Sequence, residues 1–126
     1  MKTILVVDDS RIMRNIVKNH FSDLKIFCKY LEAADGNEAL ELLNRYTIDL
    51  ILLDWNMPRL SGIDFLKKVR AMERYAQLPI IMVTSEAAKY NVIEALKMGA
   101  TDYIIKPINS KLFIEKMTRI FKWRKV

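Results

Sequence analysis

The sequence predicts an α/β fold: a doubly wound parallel sheet of five strands covered by five helices. Four short apolar runs are continuous, without polar alternation, as strands buried on both faces require. Segments of helical spacing separate them, and strands alternating with helices of this length build βαβ units with right-handed crossovers. The 126 residues, 52% of them apolar, suffice for one core without staples, so residues 1–126 are expected to form a single domain.

Each element follows from its residues in turn. Ile4-Leu5-Val6-Val7 reads as the first strand. Met13, Ile16, Val17, Phe21 and Leu24 form one helical stripe after it, and His20, which has no partner ligand nearby in sequence, is expected to pack at the core edge. A weaker run, Tyr30-Leu31-Glu32-Ala33, is the second strand, and Ala39, Leu40, Leu42 and Leu43 fit the second helix. Leu50-Ile51-Leu52-Leu53 is the third strand, followed by a helix through Ile63, Phe65, Leu66 and Val69. Ile80-Ile81-Met82-Val83 precedes a helix whose buried stripe is expected at Val92, Ile93 and Leu96. Tyr103-Ile104-Ile105 closes the sheet, and Leu112, Met117, Ile120 and Phe121 are expected to bury the last helix. Gly36, Gly62, Gly99, Pro58, Pro79 and Pro107 fall between these segments, where turns belong. The pattern matches the flavodoxin-like class, in which ligands bind beyond the carboxyl ends of the strands.

Composition narrows the possible roles. Cys28 is the one cysteine, which excludes an intrachain disulfide framework and paired thiolate metal ligands and favours a reducing compartment. The apolar start is too short for a signal peptide and ends in two aspartates, and no run approaches the length of a membrane span, so a soluble cytoplasmic protein without membrane insertion is expected. No GxGxxG or GxxxxGK[ST] motif supports nucleotide binding. The net charge of +6 is concentrated late in the chain, where Lys111, Lys116, Arg119, Lys122, Arg124 and Lys125 face Glu115 alone. Such a patch suits an acidic partner or nucleic acid, and equally a solvated helix face.

The chemistry sits where the strands end. The first ends in Asp8-Asp9, the third in Asp54, the fourth in Thr84-Ser85, and the fifth leads into Lys106-Pro107. In a doubly wound sheet these groups converge on one edge. Three carboxylates together repel, and a hard divalent cation relieves them; Mg²⁺ takes oxygen ligands and bridges carboxylates to phosphate. A nucleophilic carboxylate, a cation, an ammonium and a hydroxyl are the parts that phosphoryl transfer onto aspartate requires. An Asp-Asp or Lys-Pro pair alone says little; the four landmarks in this order say much.

On these residues the chain resembles the CheY-like receiver family of two-component signalling, from Ile4 to Phe121, and within it the stand-alone chemotaxis members. The segments that carry the likeness are Val6-Val7-Asp8-Asp9-Ser10, Asp54-Trp55-Asn56-Met57-Pro58, Met82-Val83-Thr84-Ser85-Glu86, Gly99-Ala100 and Tyr103-Ile104-Ile105-Lys106-Pro107. The resemblance implies strand order 2-1-3-4-5 and Asp54 as phosphoacceptor, charged by a sensor histidine kinase or a small phosphodonor. It implies Mg²⁺ held by Asp9, Asp54 and the Asn56 backbone carbonyl, with Asp8 acting mainly through a water. Thr84 and Lys106 would contact phosphoryl oxygens, a cis peptide would precede Pro107, and Tyr103 would be an aromatic switch. Asn56 and Glu86 would tune self-dephosphorylation, giving a short-lived phosphate, and Trp55 would report cation binding. The output would be a monomeric, non-enzymatic signal: a face of the fourth helix, fifth strand and last helix, with Lys89, Tyr90, Tyr103, Lys116 and Arg119, presented to a flagellar motor switch protein. A nucleic-acid role is not expected of this domain.

Three departures from the family pattern concern turns and partner details and spare the acids. Lys25 stands in a turn that usually carries glycine, with one residue inserted before the second strand; Ser61 replaces a common Asp or Asn; Ile108 replaces a common Phe. Two other functions stay open from sequence. One is the receiver of a transcription factor whose DNA-binding domain lies beyond Val126. The other is a metal-dependent phosphatase, disfavoured because Asn56 stands where its catalytic acid would be.

Overall fold

A computed structural model describes residues 1–24, 28–85 and 89–121, with backbone alone at 89 and 90. Lys25 and the inserted residue, Glu86, the side chains of Lys89 and Tyr90, and the basic tail 122–126 lie outside the described residues. The elements are β1 (Lys2–Val7), α1 (Arg11–Asp23), β2 (Cys28–Ala33), α2 (Gly36–Arg45), β3 (Leu50–Asp54), α3 (Gly62–Arg70), a 3₁₀ turn (Glu73–Tyr75), β4 (Ile80–Thr84), α4 (Lys89–Lys97), β5 (Asp102–Ile105) and α5 (Ser110–Phe121). All neighbouring strands pair parallel, in the order β2-β1-β3-β4-β5.

The continuous apolar runs are explained by helices on both faces. Every residue of β3 and β4 is buried. Alternate residues feed two cores: Leu5, Val7, Ile51, Leu53, Ile80 and Met82 pack toward α2 and α3, while Ile4, Val6, Leu50, Leu52, Ile81, Val83 and Ile104 pack toward α1 and α5. On the second face Phe21 and Phe113 are fully buried and meet edge-to-face at 4.9 Å between ring centres. His20 packs beside Phe113 and pairs with Ser110, at the core edge as its place in the stripe implies. Half-buried Cys28 joins the same cluster, and burial pushes its thiol above the ordinary 9.0.

Four helix starts are capped by side chains that accept from the backbone N–H three residues on: Ser10 from Met13, Asp35 from Glu38, Ser61 from Asp64 and Asn109 from Leu112. Ser61 thus caps α3, a position that Asp and Asn also suit. Ile108, in place of Phe, packs against the second core.

The helical stripes need correction in three places. Ile16 is at the solvent border of α1, at 36% exposure, beside the properly buried Val17. In α4 the buried contact is Ala95, while Ile93 and Leu96 are 42% and 43% exposed. In α5 the core residue is Phe113, and Leu112 is half out in solvent. Each helix turns ~100° per residue, so an apolar residue next to a buried one can point away from the sheet, as Ile16, Leu96 and Leu112 do. Among the described residues no helix is long and apolar enough to cross a membrane.

Candidate functional site

The strand register assembles the site. Val7 pairs with Leu53, Asp54 with Val83, and Thr84 with Ile105, so the residues that end β1, β3, β4 and β5 lie side by side at the carboxyl edge. Lys106 N–H donates to the Thr84 carbonyl at 2.8 Å, which carries the β4–β5 ladder one residue past the strand. The Lys106–Pro107 peptide is cis.

Carboxylate oxygens of Asp8, Asp9 and Asp54 lie within 4.8 Å of one another. Asp8 and Asp54 are buried, as is Thr84 beside them, while Asp9 faces solvent. The Lys106 ammonium reaches in from β5 and donates to Asp54 Oδ1 at 3.1 Å and Asp8 Oδ2 at 3.2 Å. Burial pushes the Asp54 carboxyl above its ordinary 3.8; Asp8 adds to the push, Lys106 opposes it, and Asp9 adds again. For Lys106, burial would lower the ammonium's pKa, but Asp54 and Asp8 outweigh it and hold the group above 10.5. An acid cluster whose central carboxyl is disfavoured as an anion is short of positive charge. Its donors are all oxygen, with no imidazole or thiol among them, and it opens to water at Asp9, which fits a hard cation.

Supports that the sequence did not reveal surround the cluster. The Arg14 guanidinium donates to the Asp8 carbonyl and to Glu32 at 3.0 Å, tying the loop after β1 to β2. Lys18 also bonds Glu32, and together the two cations hold that carboxyl below its ordinary 4.5 although burial acts the other way. Gly62 stands so close to the Asp54 carbonyl that any Cβ there would fall well inside van der Waals contact. No local spacing rule marks these contacts, which join residues far apart in the chain.

The other expected residues are placed as follows. Asn56 is exposed in the loop two positions beyond Asp54, and Trp55 is half-buried against the first core. Tyr103 is half-buried on β5 and also packs on that core. Its ring is covered by the Lys116 ammonium at 4.4 Å, and that ammonium is bound to Asp102 at 2.8 Å. Lys116 is thus an internal tie more than a free surface cation, whereas Arg119 is largely exposed and 3.9 Å from Asp102.

A family model for the response regulator receiver domain matches residues 4–118. The chain belongs to the response regulator receiver family. This receiver is 44% identical over 119 residues to the chemotaxis protein CheY of Pseudomonas aeruginosa, covering 94% of this chain and 95% of that one. It is 47% identical over 115 residues to chemotaxis protein CheY1 of Helicobacter pylori, covering 90% and 92%. Among solved structures, the chemotaxis response regulator CheY4 of Vibrio cholerae superposes with a TM-score of 0.85 at 34% identity, over 95% of the receiver and 98% of that chain.

Proposed function

We propose that this receiver is a phosphorylation-controlled switch in which Asp54 accepts a phosphoryl group from a sensor histidine kinase or a small phosphodonor. The observation that carries the proposal is the meeting of Asp8, Asp9 and Asp54 within 4.8 Å, with the Lys106 ammonium bridging two of them. An Asp54 oxygen attacks phosphorus, the bond to the donor breaks, and the donor leaves with the electron pair. Asp9, Asp54 and the Asn56 carbonyl would hold Mg²⁺, with Asp8 acting through a water, and the bound ion would supply the charge that lets a phosphoryl dianion approach three acids. Lys106 already sits among these oxygens and is free to exchange a carboxylate for a phosphoryl oxygen. Thr84 donates its hydroxyl to another, and Asn56 and Glu86 set how soon water removes the group. The protein is a phosphoacceptor, with no turnover of an external substrate.

The readout is the face of α4, β5 and α5. Thr84 drawn toward the phosphoryl group makes room for Tyr103, whose inward turn would give up its contact with Lys116. The exposed Ile93 and Leu96 of α4 and the exposed Arg119 of α5 belong to this face. Relatives named as chemotaxis proteins support a chemotaxis role, and within that role we read the protein as a soluble, cytoplasmic, monomeric regulator that binds a flagellar motor switch protein.

The test is incubation with Mg²⁺ and a small acyl phosphate, read by intact mass and Trp55 fluorescence. One phosphoryl adduct is expected in wild type and none in Asp54→Asn. An adduct that survives that substitution would sink the assignment. Pull-down with a motor-switch peptide, with and without phosphorylation, tests the output.

A further inference from the structure

The loop between β3 and α3 contains a strained turn. Leu60 N–H donates to the Pro58 carbonyl at 2.8 Å, two residues back, and the residue between them, Arg59, has φ +68°. A γ-turn of this hand is rare for a residue with a side chain and costs roughly 1–3 kcal/mol. Among the described residues Arg59 is the one non-glycine at positive φ. Glycine would adopt it at no steric cost.

Two contacts pin this turn to the start of α2. The Arg59 guanidinium meets Asp35 Oδ2 at 2.7 Å. Asp35 is buried and caps α2 through the Glu38 N–H at 2.9 Å. That backbone N–H, against burial and with Arg59's help, holds its carboxyl below the ordinary 3.8. The next residue, Leu60, packs on Gly36 so closely that a Cβ there would lie 2.7 Å from Leu60 Cδ2. At the other end of the loop, Gly62 N–H donates to the Trp55 carbonyl at 3.0 Å. Asn56 hangs between these fixed points.

We infer that Arg59 and Asp35 are positioning residues for the cation: their ion pair holds the Pro58–Leu60 turn and so sets where the Asn56 carbonyl stands relative to Asp9 and Asp54. The inference rests on the Mg²⁺ reading above and adds to it that cation affinity depends on two side chains that touch no metal. A purely structural role predicts something else. Arg59 is 73% exposed, and an ion pair with so exposed a partner contributes little to stability. Its removal would then leave both stability and Mg²⁺ binding nearly unchanged.

The experiment is calorimetric titration of the full chain with Mg²⁺, paired with urea denaturation in EDTA. The variants are Arg59→Gly, which removes strain and ion pair together; Asp35→Asn, which keeps a capping oxygen and removes the charge; and Arg59→Lys, which keeps the charge. Arg59→Gly and Asp35→Asn should each weaken Mg²⁺ binding by about 10-fold, the scale seen when the outer partners of metal ligands are removed. Arg59→Gly should be at least as stable as wild type in EDTA, Arg59→Lys should recover part of the affinity, and the double variant should bind no worse than twofold below the weaker single. Affinities within twofold of wild type for both Arg59→Gly and Asp35→Asn would overturn the inference while leaving the Mg²⁺ reading intact. Absence of Mg²⁺ binding in wild type would overturn both.

Discussion

Replacing Asp54 by Asn should stabilise the cation-free protein, although it removes a charge bound to lysine. At an effective dielectric near 20, Lys106 at 3.1 Å attracts the Asp54 carboxylate by about 5 kcal/mol, and a carboxylate within 4.8 Å repels it by at least about 3.5 kcal/mol. Asp8 is buried and exerts that repulsion in full, whereas exposed Asp9 is screened to roughly a third of it. Attraction and repulsion nearly cancel, so the burial of Asp54 decides the sign, in agreement with its raised pKa. Asn removes the buried charge, keeps the shape, and leaves Lys106 paired with Asp8 at 3.2 Å. The expected gain is about 1–2 kcal/mol at pH 7 in EDTA, a melting point higher by roughly 3–8 °C. Because the folded pKa lies above 3.8, ionisation of Asp54 penalises the folded state. The penalty is absent below pH 3.8, where the carboxyl is protonated folded and unfolded, and complete above its folded pKa. The advantage of Asn should therefore grow as pH rises through that window. Added Mg²⁺ should reverse it by stabilising wild type alone. The assay is urea denaturation at pH 3.5 and 7, with EDTA and with Mg²⁺. An Asp54→Asn protein no more stable than wild type at pH 7 in EDTA would refute the electrostatic reasoning.

Other substitutions probe different parts of the same edge. Lys106→Met leaves Asp8 and Asp54 buried without their cation and should cost about 3 kcal/mol at pH 7. Since the folded pKa of Lys106 is raised, its contribution is complete below pH 10.5 and fades as pH climbs through the folded value, so the gap to wild type should narrow only in strong alkali, as read by denaturation across pH. Gly62→Ala forces a methyl against the Asp54 carbonyl, which backbone cannot easily yield; a loss of about 3 kcal/mol in urea and weaker Mg²⁺ binding are expected. Phe113→Ala empties a fully buried ring site beside Phe21 and should cost about 3–5 kcal/mol by the same assay, with the acid pocket still able to take a phosphoryl group.

The sheet was legible because its strands are buried on both faces, and burial leaves a signal that does not depend on register. The acid site was legible for a topological reason: a parallel sheet with short crossovers brings the residue after each strand to one edge, so Asp8, Asp54, Thr84 and Lys106 meet wherever the strands begin. Helix faces were harder. In α4 the side chain against the sheet is the small Ala95, and a search for large apolar residues selects Ile93 and Leu96, which point away. In α5, Leu112 and Phe113 are equally apolar neighbours, and composition cannot say which of two positions 100° apart faces inward. The ties that hold the site, Arg59 to Asp35 and Arg14 to Glu32, join residues 24 and 18 apart on different elements, a pairing no local pattern encodes.

These ties divide the work of the site. Residues at strand ends fix which groups meet, and cross-element ion pairs fix how firmly the loops between them are held. β5 belongs to both. In four residues it carries Tyr103, which reaches the first core and Lys116, and it delivers Lys106 to Asp54. Its register with β4 places Tyr103 beside Met82 and Ile105 beside Thr84, and the Thr84 carbonyl accepts from Lys106 N–H. In the proposed switch, then, Thr84 and Lys106 cannot both be drawn to a phosphoryl group without loading the strand that positions Tyr103. The opposing load comes from Asp102, at the other end of β5, whose carboxylate holds Lys116 over the Tyr103 ring. In that proposal a small displacement would pass between the pocket and the outer face along this short strand, because its neighbour β4 is buried along its whole length and packed against yielding.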